Sequence, residues 1–134
     1  MFKLDLTMQS FKTAGATINI RPDGILHIHY DDVYLTIEDT KRIFEFTRQN
    51  CPWTKSPVYL TGSSFTSQDA ASRKFNGSST VVQHCSAIAF LSTSLGQKIT
   101  ANFFMRIIKP AVPTRAFNNE EEALNWLKGF ETVH

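Results

Sequence analysis

No apolar run in the sequence approaches the roughly 18 to 20 residues needed to span a bilayer. Met1 to Ser10 alternates apolar and polar residues instead of forming the apolar core of a signal peptide, so the expectation is a protein that stays where it is made. Cysteine is scarce: Cys51 and Cys85 are too few for a disulfide framework. Each sits beside an apolar or strand-like stretch, where a free thiol packs as a small hydrophobe, and the expected compartment is a reducing cytoplasm. Neither sign of charge dominates. The 14 basic and 12 acidic side chains leave a formal +2, too slight to attract nucleic acid or an anionic membrane surface. No Gly-x-Gly-x-x-Gly or Walker pattern occurs, so no nucleotide cofactor is implied, and there are no repeats, low-complexity tracts or linkers.

What is present is the material of a folded domain. Of 134 residues, 42% are hydrophobic and 19% charged, and 11 Phe supply much of the core-forming area. That is enough for a single domain over residues 1–134 whose core needs no staples.

Phe2, Leu4 and Leu6 alternate with polar residues, as in a short strand or extended arm. From Ala16 the alternation sharpens: Ile18 and Ile20 share one face, Arg21-Pro22-Asp23-Gly24 supplies turn chemistry, and Leu26, Ile28 and Tyr30 resume the apolar face. This is a β-hairpin. The period then changes. Thr36 and Asp39 approximate a capping box, Ile37, Ile43, Phe44 and Phe46 make a helical stripe, and Cys51-Pro52 stops it, which predicts a helix from Ile37 to Asn50. Val58-Tyr59-Leu60 reads as a buried strand, and a weaker helix is expected from Ser67 to Phe75, with Thr66 or Ser67 as N-cap and Asp69 helping.

After the break at Asn76-Gly77, Thr80 to His84 suits a helical turn or two, and Ser86 to Leu91 is a second buried strand whose alanines let a helix come close. Ser92 or Ser94 caps a long helix ending before Pro110. Thr114 to Phe117 is a short strand. Asn118 or Asn119 caps a last helix that three acids favour at its positive end and that buries Ala123, Leu124, Trp126, Leu127 and Phe130. A hairpin followed by alternating helices and strands makes each later connection a crossover, so much of the sheet is parallel: an α/β, mixed-sheet fold.

Several stretches carry a resemblance: Gly24 to Tyr30, Arg73-Lys74-Phe75, Ala101-Asn102-Phe103-Phe104, Lys109-Pro110, Pro113 to Phe117 and Glu121 to Leu127. Together they resemble a family of small bacterial STAS-like proteins of unassigned function, with the SpoIIAA-like fold shared by anti-sigma-factor antagonists and related to the CRAL-TRIO lipid-binding domain. The resemblance implies two competing function classes. Antagonist-type domains switch a protein partner through a serine in an Asp-Ser-Ser-Gly motif after a central strand. Here Thr61-Gly62-Ser63-Ser64-Phe65 stands near that place, without the preceding Asp or the following Gly, which argues against that mechanism. The second class is a carrier or sensor of a small apolar or lipid-like ligand. The reading taken from the sequence is a non-catalytic regulatory or interaction module, with the ligand-binding module as alternative.

Other constellations have bland readings. Ser63, Ser64, Thr66 and Ser67 lie between a strand and a helix, where α/β folds bind anions, although simple helix capping accounts for them. His27, His29 and Asp31 share one strand face, as metal ligands would, yet no further ligand is indicated, and the histidines are expected at solvent or a helix edge. His84 and Cys85, being neighbours on a strand, point apart and do not make a base and nucleophile. In the long helix, Leu95, Ile99, Phe103 and Ile107 form a stripe suited to covering a sheet, while Phe104, Met105 and Ile108 add apolar surface around it and Val112 continues it. Either the connector and last helix fold over this excess, or a second subunit or apolar ligand covers it; the expectation taken is a homodimer with part of Phe103, Phe104, Met105, Ile107, Ile108 and Val112 in the contact.

Overall fold

The computed structural model of the chain describes residues 8–31, 33–62 and 67–134. The strand expected at Phe2 to Leu6 lies outside them. The first described strand, β1 (Gln9–Thr13), was not anticipated; it pairs antiparallel with β2 (Ala16–Ile20), which pairs antiparallel with β3 (Leu26–Tyr30). Thr13 faces Ala16 across the turn, and Gly15 there takes a φ of +90°, a left-handed conformation that favours glycine. In the β2–β3 turn Gly24 does the same at +85°. Its neighbour Asp23 accepts from the Ile25 amide at 3.3 Å and pairs with Arg21 at 2.9 Å.

After β4 (Tyr34–Leu35), helix α1 (Ile37–Asn50) is as the sequence predicts, with Thr36 and Asp39 closing the capping box in both directions. Strand β5 (Ser56–Gly62) begins earlier than expected. Pro57 lies inside it, tolerated because the register shifts between Ser56 and Pro57, where a missing N–H breaks no regular ladder.

The next segment corrects the sequence reading. Ser67 does not cap a helix; Ser67–Gln68 is β6, paired parallel with β4. Helix α2 (Ala70–Asn76) is capped by Asp69, whose carboxylate accepts from Ser72 N at 2.8 Å and from Ile37 N at 3.2 Å. One anion thereby serves two helix starts, which a hydroxyl does less well. Those backbone bonds, the Ser72 amide first, hold the Asp69 carboxyl below its ordinary range.

The chain continues through α3 (Ser79–Val82), β7 (Cys85–Leu91), α4 (Leu95–Phe103), β8 (Thr114–Phe117) and α5 (Glu120–Leu127). Helix α4 opens with a Ser94–Gln97 capping box and does not run on as α-helix to Pro110; Phe104–Ile108 is a π-helical turn closed by Lys109 at φ 52°. Among the described residues six strands form one sheet in the order β1-β2-β3-β5-β7-β8, parallel from β3 onward, and β4 with β6 makes a small second one.

Successive parallel strands are added on the same side, so right-handed crossovers put α1, α2 and α4 on one face. There Ile18, Leu26, Val58 and Ile88 form a buried cluster with Ile43 of α1. On the other face Ala87 and Ala89 let α5 approach closely, and Ala123 and Leu127 pack without exposure against Tyr59 and Phe117. Near the chain's end, Thr132 Oγ1 donates to the Gly24 carbonyl at 2.8 Å and Val133 bridges Lys55, fastening it across the hairpin and the start of β5.

Candidate functional site: a cavity between the sheet and its helices

The parallel register lines up two ladders across β3, β5 and β7: Leu26, Val58 and Ile88, then Ile28, Leu60 and Phe90. Side chains two apart share a face, so both ladders point toward the helices and form an apolar floor. Ile43 and Phe44 of α1 and Ala101 and Phe104 from α4 and its π turn form the roof, and about 390 Å³ remains open between. That volume is in the range of small-molecule sites, which are apolar enclosures with few polar groups.

The polar groups sit at the ends. Beside the C-terminal ends of β5 and β7 stand Gln68, Arg73, Asn76, Ser92 and Gln97; at the other end stand Thr47, Arg48, His84 and Cys85. Among the described residues no Asp or Glu lines the cavity. Arg73 gives Nη1 to the Gln68 carbonyl at 2.6 Å and lays its guanidinium over the Phe103 ring at 5.1 Å. Arg48 gives Nη1 to the Trp53 carbonyl at 3.3 Å. The Nε of each arginine and the Ser92 hydroxyl are buried without a hydrogen-bond partner. The ion pairs among the described residues are Lys12–Asp31, Arg21–Asp23 and Arg42–Asp39, so neither cavity arginine makes one, although the Asp69 carboxyl, lowered first by the Ser72 amide, is also lowered by the Arg73 charge.

Burial pushes the Cys85 thiol up to about 12 against the pull of Arg48 and Lys55, so it stays protonated. His84 Nδ1 lies 2.8 Å from the Thr54 carbonyl and therefore carries the proton there, not facing the thiol as a base would.

His27 and His29 lie on the opposite sheet face. Each has a ring nitrogen 2.7 Å from Thr61 Oγ1, His27 also meets the Asn19 amide at 3.3 Å, and Asp31 is turned to Lys12. The imidazoles are thus joined through a hydroxyl and do not converge on an open point. Of the anion-loop candidates, Ser63, Ser64 and Thr66 lie outside the described residues; Ser67 stands exposed in β6 beside the cavity mouth.

The stripe Leu95, Ile99, Phe103 and Ile107, expected to cover the sheet, faces outward at 76, 61, 39 and 65% exposure. Ala101 and Phe104 turn inward instead, Phe104 against Phe90 with ring centroids 5.2 Å apart. The helix has two apolar faces, and the small Ala101 lets one of them reach the sheet. Of the six interface candidates, Phe104 is buried, Met105, Ile108 and Val112 are half-buried, and Phe103 and Ile107 are exposed.

The sequence reading gives the cavity arginines and Gln97 no site role and offers Ser92 only as a helix cap. Their only signal is an Arg or Ser near the end of an apolar element, and any solvated surface produces the same pattern.

This order of strands, with three crossovers on one face, is a SpoIIAA-like α/β fold. A solved structure described as an uncharacterized protein from the DUF3478 family with a SpoIIAA-like fold, from Shewanella loihica PV-4, superposes with a TM-score of 0.54 at 11% identity, covering 95% of this chain and 99% of that one. Residues 18–131 match the family described as a domain of unknown function, DUF7793, and the chain belongs to that family. No curated protein matches it in sequence.

Proposed function

We propose that the chain is a non-catalytic module that takes a small, largely apolar molecule into the cavity between the sheet and α1, α2 and α4. Of the two function classes, the cavity favours ligand binding over a serine-switched interaction module. The carrying observation is the half-open, largely apolar cavity of about 390 Å³ itself. Water finds few partners on the Ile28–Leu60–Phe90 floor, whereas an apolar ligand gains by covering it. The protonated Cys85 and the backbone-tied His84 support a site that binds and does not react. The free Cys51 and Cys85 suit a reducing cytoplasm.

The test is displacement of Nile red together with mass spectrometry of denatured extracts of the purified protein. An apolar compound should co-purify, and Ala101→Phe, which pushes a ring into the cavity, should abolish dye binding while the fold survives by circular dichroism. Dye binding unaffected by Ala101→Phe, with nothing co-purifying, overturns the reading.

The outward stripe of Leu95, Ile99, Phe103 and Ile107 supports a second reading, that two copies associate through it. Lys98, Arg106 and Lys109 lie on the same helical segment, and that segment has no acid. Two-fold pairing brings like charges together, so association should strengthen as salt screens them. Sedimentation equilibrium at low and high salt measures this, and a chain monomeric at high concentration in both refutes the dimer.

A further inference from the structure

We propose that the molecule the cavity takes is a monocarboxylic acid, its apolar body on the Leu60 and Phe90 floor and its carboxylate on Arg73 at the C-terminal ends of β5 and β7. This rests on the ligand-binding reading and goes beyond it in naming the ligand's charge and orientation. The cavity is lined by two guanidinium groups and by no acid among the described residues. A buried donor of a charged group left without an acceptor is costly, and the cost is relieved when an anion arrives with its own acceptors. Arg73 is half-buried and makes no ion pair among the described residues: one nitrogen donates to the Gln68 carbonyl at 2.6 Å, the Phe103 ring covers the guanidinium, Nε is buried with no acceptor, and Asp69, which feels its charge, does not line the cavity.

A carboxylate meets a guanidinium through two parallel hydrogen bonds, a geometry that a neutral hydroxyl cannot supply. Ser92, only 3% exposed, holds a hydroxyl with no partner and lines the same cavity beyond the end of β7. It is a third donor for the same head group. Parallel α/β sheets bind ligands at the carboxyl ends of their strands, which is the Arg73 end and not the Arg48 end. One guanidinium suits a singly charged head group such as a carboxylate better than a doubly charged phosphate.

The experiment compares decanoate with decan-1-ol, which has the same chain length and no charge, as competitors for Nile red at neutral pH. On the native protein decanoate should bind about ten- to hundredfold more tightly, the worth of a charge-assisted pair. Arg73→Gln should erase that preference and leave decan-1-ol unchanged, which also reports that the variant is folded; Arg73→Lys should keep part of it. Equal binding of both on the native protein overturns the acid assignment while ligand binding stands. A preference that survives Arg73→Gln and disappears in Arg48→Gln overturns the orientation. If neither compound displaces the dye and no dye binds, the ligand-binding reading itself has failed.

Discussion

Replacing His27 by Gln should flatten the acid limb of the stability profile. The ring is central to a chain of hydrogen bonds running across four strands: Ser10 donates to Asn19 at 2.6 Å, the Asn19 amide meets His27 Nδ1 at 3.3 Å, and Thr61 Oγ1 lies 2.7 Å from both His27 Nε2 and His29 Nδ1. The amide can only donate, so His27 Nδ1 accepts, Nε2–H donates to Thr61, and the Thr61 hydroxyl donates to His29. A proton added to His27 Nδ1 would face the Asn19 N–H. Burial first, then the neighbouring charges of His29 and Arg21, lower the His27 pKa from 6.5 to about 4. An unfolded chain therefore binds this proton as pH falls below 6.5, and the native one does so only near 4. Between those values the unfolded state holds more protons, so stability falls with pH and levels off below about 4. The gap of 6.5 minus about 4 sets a ceiling of roughly 3 kcal/mol at 1.36 kcal/mol per unit. Because the ring is only half-buried, solvent screening reduces this to about 1–2 kcal/mol. Urea unfolding at a series of pH values from neutral to about 4 measures it: the native protein should lose that much more stability than His27→Gln. Parallel profiles, or a His27 ring titrating near its ordinary value by NMR, would refute the argument.

Leu127→Ala should cost about 2 to 5 kcal/mol in urea unfolding, since the side chain is fully buried under the sheet. Trp126→Ala should cost less than the roughly 3 to 5 kcal/mol of a fully buried ring, because Trp126 is half-exposed, set at an angle against Phe117 and edge-to-face with Phe130; a loss of the full amount would mean that the burial pattern of α5 is wrong. Gly77→Ala should lower the melting temperature, because the new Cβ would sit 1.9 Å from Ile108 Cγ2, and adding Ile108→Ala should recover part of the loss. Amide exchange should be slowest in β5 and β7, interior strands of the parallel part of the sheet, and exchange there as fast as at the termini would contradict the sheet order.

The sequence by itself determined the elements whose signals are local. The Arg21-Pro22-Asp23-Gly24 turn, the Thr36–Asp39 box, Pro52 and Asn119 act over a few residues, and the hairpin, α1 and α5 stand where those residues put them. The alternation of helix and strand also fixed the crossover pattern, and with it the parallel pairing of Val58–Leu60 with Ile88–Phe90. Tertiary structure decided whatever depended on a distant partner. Asp69 became the cap of α2 because it also reaches the Ile37 amide, and Ser67 became a strand because Val33 offers a carbonyl. Leu95, Ile99, Phe103 and Ile107 repeat at helical spacing as well as any core stripe does, but periodicity only groups residues on a face; which face meets the sheet was settled by the small Ala101 and by Phe104 finding Phe90. The cavity is of the same kind. Its arginines are distant from its floor in sequence, and the space between them exists only because the helices cross the sheet without filling it.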